Sequence, residues 1–120
     1  KNIKNIANAD CVSYINKYNG NSIKLLLSDP PYGMDFQSNR RVIGDKSNVI
    51  ANDSDYNTAM KITRDMLIAT IPKLDDDAHI ILFCNDNGVF KLRQVIEEVG
   101  LEFKRILVWV KPNHTSGDLY

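Results

Sequence analysis

The sequence predicts an α/β fold built on a parallel sheet. Short apolar runs alternate along the chain with stretches of helical apolar spacing. Strands and helices in that order pack as a sheet with crossover helices on its faces. The strand-like runs are nearly continuous in apolar residues, which is the pattern of strands covered on both sides. They number three, so the sheet is expected to be narrow and the domain incomplete.

Each element has a local cause. Asp10 precedes Cys-Val-Ser-Tyr-Ile and reads as the N-cap of a short helix, with Val12 and Ile15 on one side and an end near Gly20. Residues 23–28 (IKLLLS) form a buried strand that Asp29-Pro30-Pro31-Tyr32-Gly33 stops, because prolines cannot continue a central strand. Residues 33–55 are polar and without period, and a connection that long in a compact domain usually carries function or lacks order. Ala59, Ile62, Met66 and Ala69 then mark a helix over 57–71, ended by Pro72. Residues 79–84 read as a second buried strand, 89–99 as a helix closed by Gly100 at C′, and 103–110 (FKRILVWV) as a third strand ended by Lys111-Pro112. His79 and Trp109, inside apolar runs, are expected in the core.

Composition narrows the function. The 120 residues are 43% apolar and 25% charged, and 15 basic residues cancel 15 acidic ones. A strong nonspecific hold on nucleic acid needs surplus positive charge to displace counterions, so any such contact must come from a local patch. Cys11 and Cys84 lack partners at zinc spacing and read as reduced thiols, and no metal site is expected. No apolar run is long enough to span a bilayer and the start carries no signal-peptide pattern, so no membrane partner is expected.

The chemistry is carried by Asp29-Pro30-Pro31-Tyr32. Two prolines after a strand are often only a turn. These four residues, however, stand at the carboxyl end of a buried strand, where open α/β sheets place their ligands. Here the sequence resembles the amino-methyltransferases of DNA, whose signature is Asp/Asn/Ser-Pro-Pro-Tyr/Phe/Trp after an apolar strand. The resemblance extends from Asp10 through Tyr32 (DCVSYINKYNGNSIKLLLSDPPY) and to residues 106–113 (ILVWVKPN), similar to a later family strand that often ends in Trp-x-Lys-Pro.

The resemblance implies a Rossmann-like, S-adenosylmethionine-dependent methyltransferase sheet. It also implies a double-stranded DNA partner with a flipped-out adenine, and a cytoplasmic setting, bacterial or phage-encoded. Asp at the first motif position is the usual form in adenine-N6 members, Ser in cytosine-N4 members, and Asn in protein-glutamine and guanine-N2 relatives. The amino nitrogen of adenine is a poor nucleophile because its lone pair is delocalised into the ring. Two acceptors, the Asp29 carboxylate and the Pro30 carbonyl, whose direction the pair Pro30-Pro31 fixes, would draw it toward a pyramidal geometry. Tyr32 would stack the flipped base, with a core filler as the alternative. Asp10, beside Cys11, is either a contact to the cofactor's adenosine or a plain N-cap, and Asp29 lies close to the cofactor as well. Arg40, Arg41 and Lys46 would touch phosphates from the long loop, and Lys111 and Asn113, with His114, would line the base pocket; the alternative for each is a solvated loop.

One family part is absent. A Phe-x-Gly-x-Gly turn lets backbone approach the methionine end of the cofactor, and no two of the six glycines stand one residue apart. The family occurs in permuted orders, one of which opens with the Pro-Pro-Tyr segment. Residues 1–120 are therefore expected to be the catalytic part of a methyltransferase domain, with the target-recognition region and the Gly-rich motif outside it. The competing expectations are a catalytically inactive remnant that binds nucleic acid or protein, a cytosine-N4 DNA methyltransferase, and a methyltransferase of RNA or protein.

Overall fold

The computed structural model describes residues 6–33 and 55–110. In order these form α1 (Cys11–Lys17), β1 (Ile23–Ser28), α2 (Tyr56–Thr70), a 3-10 turn (Ile71–Lys73), β2 (Leu74–Leu82) and α3 (Val89–Glu98). The class is mixed α/β, as the sequence predicts, and β1 and β2 pair in parallel.

Local chemistry sets the ends of the helices. The Asp10 carboxylate accepts the Ser13 N–H at 2.8 Å and starts α1. The Asp55 carboxylate accepts both the N–H and the hydroxyl of Thr58, each at 2.8 Å, and starts α2. Each cap satisfies donors that a helix start leaves without an intrahelical partner. Pro72 falls in the 3-10 turn that closes α2. Gly100 takes φ +84°, the left-handed geometry expected of a residue just past a helix end, and its N–H reaches the Glu97 carbonyl at 3.0 Å.

The core lies between one face of the sheet and helices α2 and α3. Met66, Leu67 and Val95 are buried there, with Leu26, Ile80 and Leu82 packed on them from the strands. Two buried hydroxyls in α2 are satisfied inside the helix, Thr63 on the Ala59 carbonyl at 3.1 Å and Thr70 on that of Met66 at 2.7 Å. α1 rests on α2 through its half-buried side, which includes Val12 and Ile15. On the other face of the sheet Leu25, Leu27 and Ile81 are exposed.

Three expectations are corrected. β2 begins at Leu74, earlier than predicted, and ends at Leu82. Its ladder runs from Ile23↔Leu74 to Ser28↔Leu82 with a register shift between Ile23 and Leu25. Leu74 and His79 are both paired with β1, so Asp75, Asp76 and Asp77 fall within the strand, in the irregular stretch between those pairs, although they interrupt its apolar run. His79 is exposed, because period two turns it away from the face that Ile80 and Leu82 bury. Residues 103–110 form no ladder among the described residues, and Trp109 is 70% exposed. An apolar run reports only that burial would be favourable; a strand also needs a neighbouring edge.

No helix among the described residues is long and apolar enough to cross a membrane. Cys11 is exposed and Cys84 half-buried, both as free thiols.

Candidate active site

The last ladder bond of the sheet runs from the Phe83 N–H to the Ser28 carbonyl at 2.9 Å. Asp29 is the next residue, so it leaves the sheet at the carboxyl ends of two parallel strands. The Ser28 hydroxyl lies 3.6 Å from the Met66 sulfur, which ties this end of β1 to α2. Asp29 is exposed, Pro30 is buried, and Pro31, Tyr32 and Gly33 are half-buried. The Tyr32 hydroxyl donates to Oδ1 of Asp29. Carboxylate and aromatic ring are thus brought together across the two prolines, whose fixed φ angles keep the bridge stiff.

Gly33 fixes the exit of the motif. It has φ +76°, and a Cβ there would stand 2.5 Å from the Tyr56 nitrogen and 2.6 Å from the Asp55 carbonyl carbon. The motif therefore backs directly onto the first turn of α2, an approach that only glycine allows. Tyr56 extends the contact. Its hydroxyl accepts from the Asn85 side-chain amide at 3.4 Å, and the Lys91 ammonium stands 4.6 Å from its ring centroid. Asn85 in turn accepts the Gly88 N–H at 2.8 Å on its side-chain oxygen, shaping the loop between β2 and α3. One edge of the molecule thus gathers the motif, the start of α2 and the β2–α3 loop.

Phe83 follows β2 on the same edge, and the Trp109 ring meets it edge-on, with centroids 6.3 Å apart and planes at 62°. Cys84, the next residue, has its thiol pKa raised, chiefly by burial and further by the Asp86 carboxylate. Gly33, Tyr56, Phe83, Asn85 and Lys91 were not read from the sequence as site residues. The Asn-Asp-Asn-Gly turn after an apolar run was a usable signal for Asn85. Nothing local announces Tyr56 or Lys91.

The other residues expected at the site divide into two groups. Asp10 and Cys11 belong to α1. Asp10 serves as its N-cap, with the carboxyl pKa held below the ordinary 3.8 by the Ser13 backbone N–H first and its side chain second. Arg40, Arg41, Lys46, Lys111 and Asn113, and His114 with them, lie outside the described residues. Among the described residues no group of three or more His, Cys, Asp or Glu side chains could hold a metal ion. A groove lined by Val12, Asn16, Ile68 and Pro72 lies between α1 and α2 and includes none of the motif.

A family model described as DNA methylase matches residues 23–118. The chain belongs to that family, the DNA amino-methyltransferases. A Type II methyltransferase, M2.MboI of Moraxella bovis, is 24% identical over 114 residues. The match takes in 91% of this chain and 41% of that relative's length, so the chain spans about two fifths of the protein it resembles. No solved structure matches.

The family generally uses S-adenosylmethionine, and its chemistry makes two demands on the residues around it. An exposed carboxylate beside an aromatic ring suits the acceptor half of the reaction. The methionine end of the donor needs backbone that a ligand can approach, and the described glycines do not form such a cradle. A Cβ on Gly33 would strike the start of α2, one on Gly88 the Asn85 side chain, and one on Gly20 the Tyr18 ring, while Gly100 is open but stands alone past the end of α3. Among the described residues the acceptor half fits, and none forms a methionine cradle.

Proposed function

We propose that this chain carries the acceptor half of a DNA methyltransferase that transfers methyl from S-adenosylmethionine to the exocyclic N6 of an adenine flipped out of double-stranded DNA. The observation that carries this reading is the placement of Asp29. It is an exposed carboxylate one residue beyond the last ladder bond, with the Tyr32 hydroxyl donating to it. The Asp29 carboxylate and the Pro30 carbonyl each accept one amino hydrogen of the base. That frees the nitrogen lone pair, and the acceptors are in place before reaction begins. Tyr32 stacks the extruded base and holds its nitrogen near the reacting position. The methylated nitrogen gives up its surplus proton beside the exposed Asp29, where solvent can take it.

S-adenosylmethionine, when bound, supplies an electrophilic methyl; Asp10, with Cys11, is assigned to its adenosine end, since an N-cap uses one carboxylate oxygen and leaves the other. Arg40, Arg41 and Lys46 are assigned to DNA phosphates, and Lys111 and Asn113 to the rim of the base pocket. In this reading the fold is the Rossmann-like sheet of such enzymes. Residues 1–120 are its catalytic part, and the Gly-rich turn and the target reader are carried elsewhere. The first motif position favours adenine over cytosine, since Asp is the usual adenine form.

The test is transfer of labelled methyl to unmethylated DNA by the full protein and by Asp29→Ala. Label in adenine that disappears with Asp29→Ala, while S-adenosylmethionine binding is kept, is the expected result. Label in cytosine N4 would move the substrate to the other branch of the family. Transfer by Asp29→Ala at the normal rate would remove the acceptor role.

A further inference from the structure

We propose that the Tyr32 hydroxyl is a positioning group for Asp29: it holds the carboxylate by one oxygen and leaves the other for the substrate amino group. This deepens the proposed function and rests on it. Stacking needs only the ring of Tyr32. The hydroxyl is an additional feature, and in this structure it donates to Oδ1 of Asp29.

The need for such a group follows from where Asp29 stands. It is exposed and lies just past the last ladder bond, so neither neighbouring strand nor core packing holds its side chain. A surface carboxylate left to itself samples several rotamers and gives its lone pairs to water. An acceptor that must shape an amino group in the transition state works best when its direction is already set. A carboxylate has about four lone-pair sites on two oxygens, so one phenol on Oδ1 leaves Oδ2 free to accept from the substrate.

The bridge that brings the hydroxyl there is itself held at both ends. Pro30 is buried on one side of it. On the other, Gly33 is pressed against the first turn of α2, with no room for even a methyl group. Pro30 and Pro31 together remove the freedom of φ at two positions of the bridge. Ring and carboxylate therefore behave as one rigid unit: the ring sets the plane of the base, and the hydroxyl sets the acceptor for its amino group. A phenylalanine at 32 would keep the first property and lose the second.

The experiment compares wild type, Tyr32→Phe and Tyr32→Ala in the full protein. Single-turnover methyl transfer is read against the fluorescence of 2-aminopurine placed at the target position, and urea midpoints confirm equal folding. Tyr32→Phe is expected to flip the base as wild type does while transferring methyl about tenfold more slowly, the scale of one lost hydrogen bond to a charged group. Tyr32→Ala is expected to lose both signals. Wild-type transfer by Tyr32→Phe overturns the proposal. So does a loss of transfer matched by an equal loss of flipping, because the hydroxyl would then be holding the base and not Asp29. In either case a dead Asp29→Ala leaves the parent reading standing, whereas an active Asp29→Ala removes both.

Discussion

Replacing Gly33 with alanine tests how firmly the Asp29–Tyr32 segment is seated. At φ +76° a residue with a Cβ incurs a backbone cost of about 1–2 kcal/mol. The new methyl would also stand 2.5 Å from the Tyr56 nitrogen and 2.6 Å from the Tyr56 Cα. These are main-chain atoms at a helix start and cannot swing aside, so the backbone must shift, adding about 1–3 kcal/mol. The smaller entropy of the unfolded chain returns about 0.4–1 kcal/mol. The net expectation is a loss of roughly 2–4 kcal/mol. Gly100→Ala is the control. Its φ is +84° but nothing lies within 4 Å of the added atom, so it carries the backbone cost alone, about 1 kcal/mol net. Urea unfolding of the two variants isolates the contact term. Methyl transfer by Gly33→Ala should also fall on the order of a hundredfold, because the shift moves Asp29 and Tyr32. Equal destabilisation by the two substitutions would show that Gly33 is not pressed on α2 and would refute the reasoning.

Three further outcomes are expected. Leu67→Ala empties a fully buried position under the sheet and should cost about 2–5 kcal/mol in chemical denaturation. The Asp10 carboxyl has a native pKa below its unfolded value, so its contribution to α1 is present above the ordinary carboxylate pKa. It is lost as pH falls through the depressed native value, and amide exchange at Ser13 should quicken there. Exposed Cys11 should react with a thiol reagent at pH 8 well before Cys84, whose raised pKa keeps it protonated; Cys11→Ser should therefore remove the fast phase.

What the sequence showed and what it hid divide along chemical range. The Asp10 cap, the stop at Pro72 and the left-handed Gly100 are decided within a few residues, and each stands where the sequence puts it. The motif at the carboxyl end of β1 was legible for the same reason, because an apolar run and two prolines define a strand end locally. The start of β2 was not, since Leu74 pairs with Ile23 on the far side of an irregular stretch that Asp75–Asp77 occupy. His79 and Trp109 look like core residues from their neighbours alone, yet which face of a strand is covered depends on elements far away in the chain. The contact of Gly33 with Tyr56, and of Tyr56 with Asn85 and Lys91, joins segments that share no pattern. Apart from the turn that marks Asn85, that part of the site could be found only in three dimensions.

The edge-on pair of Phe83 and Trp109 has an experimental use. Trp109 is the single tryptophan of the chain, and its partner Phe83 bonds to the residue just before Asp29. An indole that is 70% exposed emits at long wavelength and is readily quenched by solutes such as acrylamide or iodide. A ligand or nucleic acid settling over this edge would shield the ring and shift its emission. Occupancy of the site could then be followed in the unlabelled protein by ordinary fluorimetry, with Trp109→Phe as the blank.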